Sequence, residues 1–275
     1  MQVLAAATEA GLPRLDAQRL LLHALGAVAP VASSRAWLHA HGTDRVDPAA
    51  HQHFLALCQR RAANVPLAYL TGTREFYGLT LAVDARVLDP RPDTETLVDW
   101  ALDVCRSHLR PRVLDLGCGS GAIALAIKYE QPEAIVYATD VSTDALQVAR
   151  ANATALSLEV MFSEADWLCG VHGAFELIVS NPPYIAAGDP HLAALEAEPI
   201  GALVSGVDGL DAVRRIVLDA RAHLTADGWL LMEHGHDQAA AVRALLDSAG
   251  FADVRSHRDL AGIERCSGGR TQLGS

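Results

Sequence analysis

One stretch, Asp115-Leu116-Gly117-Cys118-Gly119-Ser120-Gly121, constrains this chain more than any other. It follows a short apolar run over Arg112–Leu116 and opens a helical one over Ala122–Tyr129. Glycines at alternate positions permit positive φ and let the backbone come close to a neighbour at a helix N-terminus. Such a turn joins a strand to its crossover helix, so the chain is expected to carry an α/β domain with a mostly parallel sheet. The downstream text agrees. Ala134–Asp140 reads as a second strand and Thr143–Leu156 as a helix capped by Ser142 or Thr143. A third strand is expected near Val160–Ser163, and Leu177–Ser180 reads as a buried one. Helix Leu210–Leu224, strand Trp229–Glu233, helix Gln238–Ala249 and a strand near Val254 complete the alternation.

Upstream the pattern differs. Ala17, Leu20, Leu21 and Leu25 recur at helical spacing, as do Phe54, Leu55 and Cys58, so residues 1–73 are expected to form a small helical domain. Phe76, Leu79, Leu81, Val83 and Val87 are spaced like strands around Gly78 and Asp84, which predicts a β-hairpin connector over residues 74–92. The α/β domain then spans residues 93–275. A chain of 275 residues, half of them apolar, can bury a core for both parts.

Charge and cysteines narrow the function. A net charge of −11 disfavours a protein that grips nucleic acid through its own phosphate contacts. The five cysteines are scattered and show no metal-ligand spacing, which argues against a disulfide framework and a structural zinc. No basic leader precedes the first apolar residues, and no apolar run approaches about 20 residues, so neither export nor membrane insertion is expected. A reducing cytoplasm fits best.

The glycine turn alone leaves three readings open: a tight turn with no ligand, a dinucleotide fingerprint, and a site for S-adenosylmethionine. The spacing is G-x-G-x-G, and Asp115 just ahead could meet the ammonium of an amino-acid-like ligand directly or through water. That favours S-adenosylmethionine over nicotinamide. Asp140, about 20 residues on at a strand end, could accept both ribose hydroxyls. As a helix N-terminal charge it would be worth only about 0.3–1 kcal/mol. Asp166 and Trp167 could close the site, acid near the adenine amino group and indole against its face, with a structural tryptophan as the alternative.

Asn181-Pro182-Pro183-Tyr184 follows the buried strand directly, at the carboxyl edge of the sheet. The Asn181 side-chain oxygen and the Pro182 carbonyl can accept the two hydrogens of an –NH2 group, and Tyr184 offers a stacking face. The consecutive prolines Pro182 and Pro183 stiffen the loop and remove competing donors.

With these motifs the chain resembles the class I S-adenosylmethionine-dependent amino-methyltransferases, and one branch closely: the HemK/PrmC family, glutamine methyltransferases of peptide chain release factors. Matching text includes Pro66-Leu67-Ala68-Tyr69-Leu70-Thr71-Gly72, Pro90-Arg91-Pro92-Asp93-Thr94-Glu95, Asp189-Pro190-His191-Leu192, Glu198-Pro199 and Glu233-His234-Gly235. The resemblance implies a Rossmann-like, seven-stranded, mostly parallel sheet and methylation of the glutamine amide in a Gly-Gly-Gln loop, with S-adenosylhomocysteine as product. It implies that Gly117, Cys118, Gly119, Ser120, Gly121, Asp140 and Trp167 contact the cofactor, that Asn181 to Tyr184 hold the glutamine, and that Arg91 and Glu95 shape the substrate side. The release factor is then the partner, docking on the N-terminal helices. Two departures bear on docking and loop geometry: Asp89 stands where the family has an apolar residue, and the stretch from His191 to Glu198 is shorter and lacks a basic residue. A nucleic-acid base methyltransferase, which would also present an exocyclic –NH2, and a non-catalytic cofactor-binding adaptor are the rival readings. No metal is required by any of them.

Overall fold

A computed structural model describes residues 2–9, 11–26 and 34–272, and divides the chain into two compact units. The first comprises residues 1–73 with 194–197, the second residues 74–193 and 198–275.

The first unit is built from α1 (Gln2–Glu9), α2 (Arg14–Gly26), α3 (Arg35–Ala40), α4 (Pro48–Ala62) and α5 (Leu67–Thr71). Local chemistry starts α4: Asp47 accepts the N–H groups of Ala49 and Ala50, and Pro48 occupies the first turn, where its missing donor costs nothing. Ala17, Leu20, Leu21 and Leu25 of α2 pack with Phe54, Leu57 and Cys58 of α4. Leu55, expected in that stripe, points to solvent and Leu57 takes its place. An ion pair between Asp16 and Arg61 at 2.8 Å joins the same two helices.

The second unit begins in a two-stranded hairpin, β1 (Thr73–Phe76) and β2 (Leu79–Ala82). Its turn residues Tyr77 and Gly78 both have positive φ, 49° and 74°, as a type I′ hairpin requires. The strand character expected as far as Val87 stops at Ala82. Asp84 accepts the N–H of Arg86 and turns the chain, so Val83 and Val87 are buried from irregular backbone.

After α6 (Glu95–Cys105) come β3 (Arg112–Leu116), α7 (Ala122–Glu130), β4 (Ile135–Asp140), α8 (Thr143–Leu156), β5 (Met161–Glu164) and β6 (Phe175–Ser180). Then follow α9 (Asp211–Ala220), β7 (Leu224–Glu233), α10 (Ala239–Ser248), β8 (Ala252–Arg258) and β9 (Glu264–Arg270). The sheet order is β5-β4-β3-β6-β7-β9-β8. The pairings from β5 through β7 are parallel, and β9 runs antiparallel to both neighbours. Alternation sends Val113, Leu177 and Leu231 to the face covered by α6, α7 and α8, and Leu114, Ile178 and Leu230 to the face covered by α9 and α10. The sheet is thus a seven-stranded, Rossmann-like one with helices on both sides.

Two details depart from the sequence expectation. Helix α9 ends at Ala220, and β7 begins already at Leu224, bulging between Leu224 and Trp229 around Asp227, whose φ is 62°. Strand β9 had no signal in its own residues because Gly268 and Gly269 lack strand propensity. Its glycines answer to packing. A Cβ on Gly268 would lie 2.5 Å from the Leu230 carbonyl oxygen, and one on Gly269 2.9 Å from Phe251 Cβ.

Candidate active site

Register assembles the site. Leu116 lies beside Ser180 on one side and Thr139 on the other, so Gly117, Asn181 and Asp140 leave three adjacent strands at the same level. The strand order reverses between β3 and β6, the place where open α/β sheets form a crevice. The Ser180 hydroxyl, donated to the Leu116 carbonyl at 2.8 Å, locks the two exits together. A cavity of about 250 Å³ opens there, lined among others by Gly117, Cys118, Gly119, Ser120, Asp140, Asp166, Trp167, Asn181 and Pro183.

The glycine turn uses its donors internally. The N–H groups of Gly117 and Cys118 go to the Thr139 carbonyl, that of Gly119 to Asp140 Oδ2, and that of Gly121 to the Cys118 carbonyl. The three glycines have φ of 69°, 53° and 82°. What they provide is room: a Cβ on Gly117 would meet the Trp167 ring at 3.4 Å, while one on Gly121 would press on Ala149 and Leu125 at 3.2 Å. A pyrophosphate needs free backbone donors, and here four are already spent. Gly121 therefore serves helix packing and does not line the cavity.

Asp115 lies fully buried on β3 and is not among the cavity-lining residues. Its Oδ2 accepts the Ala124 N–H in the first turn of α7, and Oδ1 has no partner. Burial pushes its pKa up to about 7, with the Asp140 charge adding to the rise and the Ala124 N–H opposing it. Asp140 binds Gly119 N–H with one oxygen and Ser142 N–H with the other, tying the turn to the strand end while still facing the cavity. Asp166 is half-exposed and paired with Arg215 at 2.8 Å. Trp167, at φ 55°, packs partly on the α9 side of the core and partly on the cavity wall. Acidic groups with occupied backbone donors suit a positively charged ligand, and the bare Asp115 Oδ1 marks an unmet demand for a donor.

Asn181 donates Nδ2 to Thr94 Oγ1 at 3.3 Å and lines the cavity, while its Oδ1 is buried without a partner. A buried bare carbonyl oxygen costs about 1–3 kcal/mol, so a donor from a guest is what the site lacks. Pro182 is buried and Pro183 lines the wall. Tyr184 is not part of the wall. Its hydroxyl reaches Glu233 Oε1 at 3.4 Å, and burial followed by the Glu233 charge raises its pKa above the phenolic range. The other two expected substrate residues also lie off the cavity. Arg91 is ion-paired with the buried Glu198, and Glu95 accepts the Tyr77 N–H of the hairpin turn at 3.0 Å.

Three residues had no role in the sequence reading. Asn152 on α8 bonds both backbone groups of Ala82 and the Ser120 carbonyl, binding hairpin to glycine turn. Thr94 holds Asn181, and Glu233 stands behind it. Asp89, the departure from the expected apolar residue, is buried beside Arg74 at 3.4 Å and gives its N–H to Glu198 at 3.3 Å. Among the described residues no cluster of three or more His, Cys, Asp or Glu could hold a metal, and no helix is long and apolar enough to cross a membrane.

Fold and site together define a class I methyltransferase. Solved structures agree on the fold: a methyltransferase from Pyrococcus furiosus matches with a TM-score of 0.55 at 18% identity, over 78% of this chain and 99% of that one. A T. thermophilus 16S rRNA methyltransferase, solved with AdoMet and guanosine, matches with a TM-score of 0.54 at 18% identity, over 73% of this chain and 50% of that one. The methyltransferase small domain model matches residues 95–197, and the PrmC N-terminal domain model residues 2–72. The release factor glutamine methyltransferase of Burkholderia pseudomallei is 51% identical over 269 residues, spanning 94% of this chain and 92% of that protein. That of Xylella fastidiosa is 50% identical, spanning 98% and 96%. The chain belongs to the release factor glutamine methyltransferase family.

Proposed function

We propose that this protein transfers the methyl group of S-adenosylmethionine to the side-chain amide nitrogen of the glutamine in a release factor's Gly-Gly-Gln loop. The observation that carries the reading is Asn181 Oδ1, an acceptor held at the cavity wall with no partner. Relatives named for this activity across nearly the whole chain support the substrate, and the acid-lined cavity with its internally bonded glycine turn supports a cationic cofactor.

The sulfonium cofactor supplies an activated methyl. The chain's own residues supply placement, which is the larger part of such a barrier. Asp140 and Trp167 border the space for the nucleoside, and Asp115 the charge balance beneath the amino-acid end. Asn181 Oδ1 and the Pro182 carbonyl accept the amide hydrogens, drawing electron density toward nitrogen as positive charge develops there. The rigid Pro182-Pro183 pair holds these acceptors still. The excess proton leaves to water. A chain of net charge −11 suits a basic protein partner better than a nucleic acid, and a partner acting in translation places the reaction in the cytoplasm.

The test is peptide mapping by mass of a release factor incubated with the protein and S-adenosylmethionine, beside its Gln→Ala loop variant and DNA or RNA. One added methyl on the loop glutamine is expected, with none on the variant. Methylated nucleic acid and an unmodified release factor would overturn the substrate assignment.

A further inference from the structure

An Asn side chain is nearly symmetric in shape, so its hydrogen-bond partner alone decides whether oxygen or NH2 faces the cavity. For Asn181 that partner is Thr94 Oγ1, itself buried. A hydroxyl has one hydrogen. If it is drawn elsewhere, Oγ1 is left as an acceptor and must take Nδ2; if it is free, it can be given to Oδ1 and the amide turns over. Behind Thr94 stands Glu233 on β7, fully buried, with Oε1 receiving the Tyr184 hydroxyl and Oε2 without a partner.

We propose that Glu233 is a positioning residue of the methyl-transfer site: as an acceptor-only carboxylate it draws the hydrogens of Thr94 and Tyr184 inward and so keeps the Asn181 carbonyl oxygen facing the cavity. The inference rests on the proposed role of Asn181 and adds what holds that residue in its working orientation. Glu233 itself is not among the cavity-lining residues. An ionised carboxylate cannot donate, so it has one possible relation to both hydroxyls. Once protonated it can donate to Thr94, and the direction of the whole chain of bonds is lost.

The groups facing Glu233 set where that happens. Burial raises its pKa to about 7, opposed by the Thr94 hydroxyl and then by Arg265 on β9, while Asp93 of the turn before α6 adds to the rise and Tyr184 opposes it. Arg265 is shared with Asp93 at 3.3 Å and Asp259 at 3.0 Å, so it does not neutralise Glu233 alone. Cys266, also on β9, feels the Glu233 charge and remains a thiol, its pKa pushed up to about 12 mainly by burial.

The experiment compares wild type, Glu233→Gln, Thr94→Val and Thr94→Ser. In the protein without substrate, the side-chain amide cross-peaks of Asn181 are followed by NMR as pH falls through about 7. They are expected to titrate in wild type and to lose that titration in Glu233→Gln. Turnover should fall on the acid side in wild type, and should be pH-flat and at least about tenfold lower in Glu233→Gln. Thr94→Val should match that loss with the cofactor KM within about threefold, and Thr94→Ser should recover most of it. An acid limb that survives in Glu233→Gln, Asn181 peaks that ignore pH in wild type, or wild-type turnover in Thr94→Val would overturn the inference. Failure of the proposed function looks different: no methylated glutamine from the wild type at any pH, with the NMR titration still deciding the link between Glu233 and Asn181.

Discussion

Replacing Asp115 with asparagine tests the electrostatics under the glycine turn. The carboxyl is fully buried, and one of its oxygens has no partner. Moving its pKa from the ordinary 3.8 to about 7 separates the two protonation states by about 4 kcal/mol. Because the folded-state value lies above the unfolded one, the native protein binds the proton more tightly. The contribution to stability is therefore complete below about pH 4 and is lost as pH rises through about 7. About 2–3 kcal/mol of that loss falls between about pH 5 and pH 8.5. Asparagine can still accept the Ala124 N–H and has nothing to ionise. Glu233, raised for the same reason, adds a slope of the same sign, but that slope is common to both proteins. The measured quantity is thus the difference in unfolding free energy between variant and wild type, without ligand, at the two pH values. Urea unfolding followed by tryptophan fluorescence reads it, in a Trp37→Phe background so that Trp100, Trp167 and Trp229 report the second unit alone. The difference should move toward the variant by about 2–3 kcal/mol as pH rises. A change under about 1 kcal/mol would refute the reasoning, since Asp115 would then be solvated or paired in the native state.

Asn181→Ala should lower turnover by at least about a hundredfold while cofactor affinity, measured by calorimetry, stays within a few-fold; unchanged turnover removes its acceptor role. Gly121→Ala should cost about 2–4 kcal/mol, from a φ of 82° and contacts at 3.2 Å with Ala149 and Leu125, read as a lower urea midpoint. Arg91→Ala should destabilise by about 1–2 kcal/mol, discounted because the arginine is partly exposed while its partner Glu198 is left buried and unpaired, and the double variant with Glu198→Gln should recover part of the loss.

The α/β core was legible because its signals are local. Arg112–Leu116 and Thr143–Leu156 fall where apolar spacing and the Ser142 cap put them. The glycine turn, Asp140 and the Asn181 tetrapeptide each follow a strand, so their arrival at one sheet edge could be expected from topology alone. What no local pattern announces is the identity of neighbours across the sheet. Strand β9 reads as a loop, yet Gly268 is dictated by the Leu230 carbonyl against which it lies. Arg91 and Glu95 sit in the most family-specific block, and their side chains turn to Glu198 and Tyr77, away from the cavity.

Residue order, then, settled which strands exist and which loops leave their carboxyl ends, because backbone propensity and capping act over a few residues. Tertiary structure alone decided that the turn spends its own N–H groups, that Asp115 and Glu233 lose their water, and that Asn181 is held by Thr94. Hydrogen-bond direction and desolvation depend on everything packed within a few ångströms, and those neighbours come from segments up to about a hundred residues apart in the chain.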